Sequence, residues 1–275
     1  YEAMRRFARY KIRTLGRWYP TALPTGIPPK YRKYISNYGQ SYGEWAEPVD
    51  VKAFAVSDFV SPHPEETTAY IALLMDRMAE TARVLGKTAD AEEFEKTASQ
   101  VREGYQALVR TRKHDLDTDR QAKLVRPLYM NLLDKTQTTY ARLRLVKALD
   151  NYQWRLGTGF LSTPLILYVL ADMDVEYAYR LLENEEIPGW LSMPKHGATT
   201  IWESWEGPRA QGGVASLNHY SKGAVLQWVF DTMCGILVNG ENRFTIAPRP
   251  GGHFTHANAK YVSVYGEIES GWRKT

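Results

Sequence analysis

A glutamate flanked by tryptophans is the feature of this chain that most suggests chemistry. In Lys195-His-Gly-Ala-Thr-Thr-Ile-Trp-Glu-Ser-Trp-Glu-Gly, Glu203 stands between Trp202 and Trp205 at the end of a turn-rich stretch. An aromatic wall desolvates a carboxylate and raises its pKa, and the same rings can hold the face of a sugar. The segment therefore suits the acid or base of a glycosidase; it suits equally a surface loop with two packing tryptophans and two solvated acids. Further on, Ser216-Leu-Asn-His-Tyr-Ser-Lys-Gly-Ala-Val-Leu-Gln-Trp sets Asn218 and His219 at the start of an apolar helix. An imidazole there can donate to a substrate hydroxyl or a carboxylate, or cap the helix. Upstream, Gly157-Thr-Gly-Phe-Leu-Ser-Thr-Pro opens another helix with Pro164 near its first turn. Its glycines allow close backbone approach, but no strand precedes it, which disfavours a phosphate cradle.

Other chemistries fail on spacing. Asp115, Asp117 and Asp119 match the first acidic positions of a calcium loop, yet Arg120 takes the glycine place and Arg126 the place of the bidentate glutamate. His253 and His256 are read on a strand, where alternation sends them to different faces with no third ligand near. No metal site is expected. No Gly-x-Ser-x-Gly elbow occurs, and the single cysteine, Cys234, lies in an apolar run that reads as buried packing.

The elements that must position these residues are mostly helical. Met4, Phe7, Ile12 and Leu15 give the first residues helical spacing; Ile71, Met75, Met78, Ala82 and Leu85 form a second stripe, stopped by Gly86. Phe94, Ala98, Val101, Tyr105 and Leu108 form a third, completing an αα-hairpin. Further helices are expected over 138–149, 163–171, 175–184 and 219–237, with no strand before residue 242. Helix following helix without a fixed repeat suits a closed α/α barrel better than a solenoid or a doubly wound sheet. Two long polar segments, 20–64 and 110–127, remain; the first is rich in Tyr, Pro and Gly and contains Trp45. The tail alternates apolar and polar residues around Pro248-Arg-Pro-Gly-Gly and reads as strands, too few for a whole sandwich. The start has no N-cap residue, and the expectation is a piece cut on both sides, leaving the stripes at Met4-Phe7 and Ile71-Met75-Met78 uncovered.

Composition narrows the class. The 275 residues are 44% hydrophobic and 24% charged, a globular balance, with no apolar stretch long enough to span a membrane. Net charge is only +4, and the basic stretch from Arg5 to Arg17 reads as the solvated face of a helix, so nucleic-acid binding is not expected. Aromatic residues make up 12% of the chain, with 8 Trp and 18 Tyr, side chains that combine a stacking face with a polar tip.

Taken in order, the segments Gly157-Thr-Gly-Phe-Leu-Ser-Thr-Pro, Gly197-Ala-Thr-Thr-Ile-Trp-Glu-Ser-Trp-Glu-Gly and Asn218-His-Tyr-Ser-Lys-Gly-Ala-Val-Leu-Gln-Trp resemble the bacterial α-L-rhamnosidases of glycoside hydrolase family 78. Tyr42-Gly-Glu-Trp resembles the family's Tyr-Gly-Asp-Trp, and the tail from Ile246 resembles the beginning of its C-terminal β-sandwich. The resemblance implies a mainly α fold: a partial (α/α)6 barrel over 1–240, then the first strands of a β-sandwich over 241–275. It implies an inverting hydrolase that removes terminal α-L-rhamnose from glycosides or polysaccharides and needs no cofactor. On this likeness Glu203 takes the position of the general base, while His219 and Trp45 contact the sugar. Glu44 stands where Asp is usual and Ser204 where Arg is usual. The family's general-acid motif, of the Asp-Glu-Arg-x-Gly-Trp type, does not occur, so this chain alone is expected to be inactive. The alternatives are an α/α-barrel glycosidase acting on another sugar, and a catalytically silent carbohydrate-binding protein.

Overall fold

The computed structural model describes residues 1–17, 25–53, 55, 61–210, 215–240 and 242–275, so part of the polar segment 20–64 lies outside the described residues. They form two compact units: Tyr1–Trp45 with Lys52–Ala148, and Ala46–Val51 with Leu149–Thr275.

The first unit is built on a long helical hairpin. Helix α1 is Glu2–Thr14 and α2 is the single turn Pro29–Arg32; α3 (Pro64–Val84) and α4 (Thr88–Leu108) pack along their lengths. Pro64 opens α3 with a preset φ, and Glu65 and Glu66 lie in its first turn, where acids suit the positive end of the helix dipole. Gly86 ends it at φ +67, a left-handed conformation that glycine adopts without strain. The amides of Lys87 and Gly86 then close back onto the carbonyls of Ala82 and Arg83, at 2.8 and 3.0 Å. Ile71, Met75 and Met78 are buried in this hairpin rather than uncovered, because α4 supplies Phe94, Ala98 and Val101 to the same core. Each fully buried side chain of this size contributes about 1.5–3 kcal/mol. Met4 and Phe7 do lie on the surface, 50% and 54% exposed. The basic face of α1 is only partly solvated, since Arg9 reaches Asp90 and Glu93 of α4 at 2.9 and 2.6 Å.

The polar segment 110–127 runs into a helix, α5 (Gln121–Tyr129). Its periodicity is masked because an inward-facing position is occupied by an arginine, Arg126. Asp117 and Asp119 hold Arg144 of α6 (Lys135–Asn151), at 3.0 and 2.9 Å.

In the second unit α7 (Thr163–Met173) begins with Pro164 in its first turn, and α8 (Val175–Leu182) is capped by Asp174, whose carboxylate accepts from the Glu176 amide at 2.9 Å. A short α9 (Ser192–Lys195) follows. The single helix expected over 219–237 is instead a 3-10 turn Ser221–Ala224, α10 (Val225–Trp228) and a wider turn Val229–Met233 with π spacing. It stops early because Gly235, at φ +74, turns the chain into strand β1 (Ile236–Gly240), so strand begins before residue 242. An apolar run of this length is compatible with either element. Strand β1 pairs antiparallel with β2 (Arg243–Ile246), and β3 (His256–Ser263) with β4 (Gly266–Arg273). His253 sits in a turn rather than on a strand and binds Glu183 at 2.8 Å; His256 opens β3. Cys234 follows the wide turn and is buried, as expected, which pushes its thiol up. Strand β4 is tied to this point: Ser270 donates to the Cys234 carbonyl at 2.6 Å and the Trp272 indole to that of Met233 at 2.9 Å.

Among the described residues no helix is long and apolar enough to cross a membrane, and no group of three His, Cys, Asp or Glu side chains could hold a metal ion.

Candidate active site

Glu203 and His219 are brought together in the second unit by two cross-bonded segments. The Glu203 amide donates to the Ser216 carbonyl at 2.8 Å, the Thr200 hydroxyl to that of Leu217 at 2.5 Å, and the His219 amide to that of Ile201 at 2.7 Å. The Ser216 amide in turn donates to Glu203 Oε2 at 2.8 Å, a charge-assisted bond that fixes the carboxylate. Glu203 is half-buried at this junction.

The flanking tryptophans are anchors rather than a sugar platform. Trp205 is fully buried; its indole donates to the Thr158 carbonyl at 2.7 Å and its ring meets Trp190 edge-on at 6.0 Å. Trp202 is 5% exposed and lies so close to Gly207 that a Cβ there would stand 2.2 Å from its ring. Glycine at 207 is required by that approach, and φ +54 there adds a second reason. The aromatic spacing thus holds the backbone on both sides of the carboxylate.

His219 precedes the 3-10 turn instead of starting a long helix, and its ring is layered between two others. Phe160 stacks on it at 4.8 Å and Tyr220 at 5.1 Å, with Tyr220 itself 87% exposed. Its Nδ1 accepts from the Ser221 amide at 3.3 Å and meets the Ser221 hydroxyl at 3.0 Å, which leaves Nε2 as the nitrogen for a substrate.

Two further residues of this site went unread in the sequence. Phe160 lies within the Gly157 segment, where attention falls on the glycines. Lys222, in the His219 segment, is fully buried, and its ammonium donates to the main-chain carbonyl of Glu203. Nothing in the sequence marks it, since it follows Asn218, His219, Tyr220 and Ser221 and precedes the apolar stretch.

Trp45 belongs to the first unit, in a loop built over buried charge. Tyr42, largely exposed, meets its ring edge-on at 5.8 Å. The preceding residue, Glu44, is buried and paired with the guanidinium of Arg126, which also binds Glu65; Glu65 accepts from the Tyr105 hydroxyl. Burial lifts the Glu65 carboxyl above its usual range against the opposing pull of Arg126, and pushes the Tyr105 phenol well up.

Comparison with known proteins gives the family. The family model of the bacterial alpha-L-rhamnosidase 6 hairpin glycosidase domain matches residues 5–233, and that of the bacterial alpha-L-rhamnosidase C-terminal domain matches residues 238–275. An alpha-L-rhamnosidase of Streptomyces avermitilis is 34% identical over 241 residues, which cover 85% of this chain and 22% of that protein. One of Formosa agariphila is 32% identical over 250 residues, covering 88% and 27%. The crystal structure of the Streptomyces avermitilis alpha-L-rhamnosidase complexed with L-rhamnose superposes with a TM-score of 0.79 at 28% identity, over 100% of this chain and 25% of that one. The chain thus spans about a quarter of the length of the relatives it matches.

Proposed function

The chain belongs to the bacterial α-L-rhamnosidase six-hairpin glycosidases, and from that premise we propose that it carries the general-base half of an inverting hydrolase that releases terminal α-L-rhamnose from glycosides or polysaccharides. The observation that carries the reading is the carboxylate of Glu203, fixed by the Ser216 amide on a segment cross-bonded to that of His219. In such a reaction the base removes a proton from water as its oxygen attacks the anomeric carbon from the face opposite the leaving group. A second carboxylic acid, roughly 6.5–9.5 Å away, protonates the departing oxygen. Glu203 takes the first role. His219 donates from Nε2 to a sugar hydroxyl, and Trp45 offers an aromatic face to the ring. The barrel part of the chain is taken as residues 1–240 and the beginning of the sandwich as 241–275.

The decisive experiment is Glu203→Gln in the protein that carries this chain. The amide keeps the shape but accepts no proton, so kcat on an aryl α-L-rhamnoside should fall about 10²- to 10⁴-fold with KM much less changed. A kcat near that of the unmodified protein would remove Glu203 from the mechanism.

A further inference from the structure

Lys222 is an unusual tenant of its position. A buried ammonium loses its hydration, which costs free energy unless the charge is well met, and a methionine would fill the same slot without that cost. Here groups of the candidate site meet the charge. Its Nζ donates to the carbonyl oxygen of Glu203 and stands 4.6 Å from the centre of the Trp205 ring and 4.9 Å from that of Phe160. Phe160 is also the ring stacked on His219, three residues before Lys222 in the chain. The Lys222 carbonyl accepts from the Trp190 indole at 3.0 Å, which fixes the main chain from which the side chain departs. One side chain therefore joins the segment of His219 to the peptide unit of Glu203, through a donor that hydrocarbon cannot replace.

We propose that Lys222 is a positioning residue, which sets the Glu203 carboxylate against His219 and so determines where the attacking water is held. The proposal rests on the reading of Glu203 as the base. Lys222 touches neither water nor sugar in this role; it acts only through Glu203. A base displaced by even an ångström costs on the order of 10²-fold in rate, so the effect falls on kcat.

The test is a double-mutant cycle on hydrolysis of an aryl α-L-rhamnoside by the protein that carries this chain. Lys222→Met is expected to lower kcat about 10- to 100-fold with KM changed less than about threefold. In a Glu203→Gln background the same substitution should lower it less than about twofold, because no base remains to be misplaced. Lys222→Arg, which keeps a cation and its donors, should recover most of kcat. If methionine prevents folding, as judged by circular dichroism, Lys222→Gln serves in the same cycle. An equal loss in both backgrounds would show general damage and overturn the proposal. So would an unchanged kcat for Lys222→Met beside a slow Glu203→Gln, an outcome that leaves the base assignment standing. A fast Glu203→Gln removes the base assignment, and Lys222's role with it.

Discussion

Replacing Trp45 or His219 by alanine is expected to weaken binding of free L-rhamnose without touching proton transfer. Loss of the stacking face of Trp45 should cost on the order of 1 kcal/mol, about fivefold in affinity, and loss of the Nε2 donor of His219 a comparable amount. Titration calorimetry on the protein that carries this chain checks both; unchanged affinity in the two variants would place the sugar elsewhere. At this scale the sequence was legible where chemistry and spacing coincide. Glu203 stands out because tryptophans bracket it, although the structure turns those rings inward as anchors, with Trp205 fully buried. Lys222 was not legible, because its significance comes from a contact with residue 203 that folding alone creates.

Among the elements, α5 supplies the buried cation of the first unit. Its Arg126 is fully buried between Glu44 and Glu65 and also attracts the buried Glu66, and Arg126→Met would leave these carboxylates in the interior without that cation. Destabilisation of about 3–5 kcal/mol is expected, read by urea unfolding. A loss under about 1 kcal/mol would mean that these acids simply take up protons. The hairpin of α3 and α4 could be read from apolar periodicity, and the turn between them from Gly86, since both signals are local. Helix α5 could not, because a charged residue occupies a core position and breaks the pattern that marks a buried face. The broken winding from Ser221 to Met233 escaped for the opposite reason. Every residue type there is compatible with a regular helix, and the early stop is set by Gly235 and the strand pairing beyond it.

For the molecule as a whole, pH should act through His114. The side chain is buried, and burial, with Lys123 and Lys113 nearby, pushes its pKa down to about 4. The unfolded chain binds a proton near pH 6.5, so between about 6.5 and 4 it holds more protons than the folded one, and stability falls as pH falls. The contribution is at most about 3 kcal/mol, present in full above pH 6.5 and lost through that window. His114→Phe should flatten the difference between urea midpoints at pH 7 and pH 4.5; an unaltered difference would assign the acid sensitivity to the carboxylates. The buried trio of Glu44, Arg126 and Glu65 also bears on how such a chain can change over descent. Removing one member alone is costly, whereas replacing all three with well-packed apolar residues can be neutral or even favourable. A chain that lacks one member is expected to fold poorly, so substitutions at these positions should arrive as linked sets. Lineages that abandon the arginine are expected to have abandoned both glutamates as well, and homologues in which the three sites drift independently would show that the valley between the two solutions is shallow.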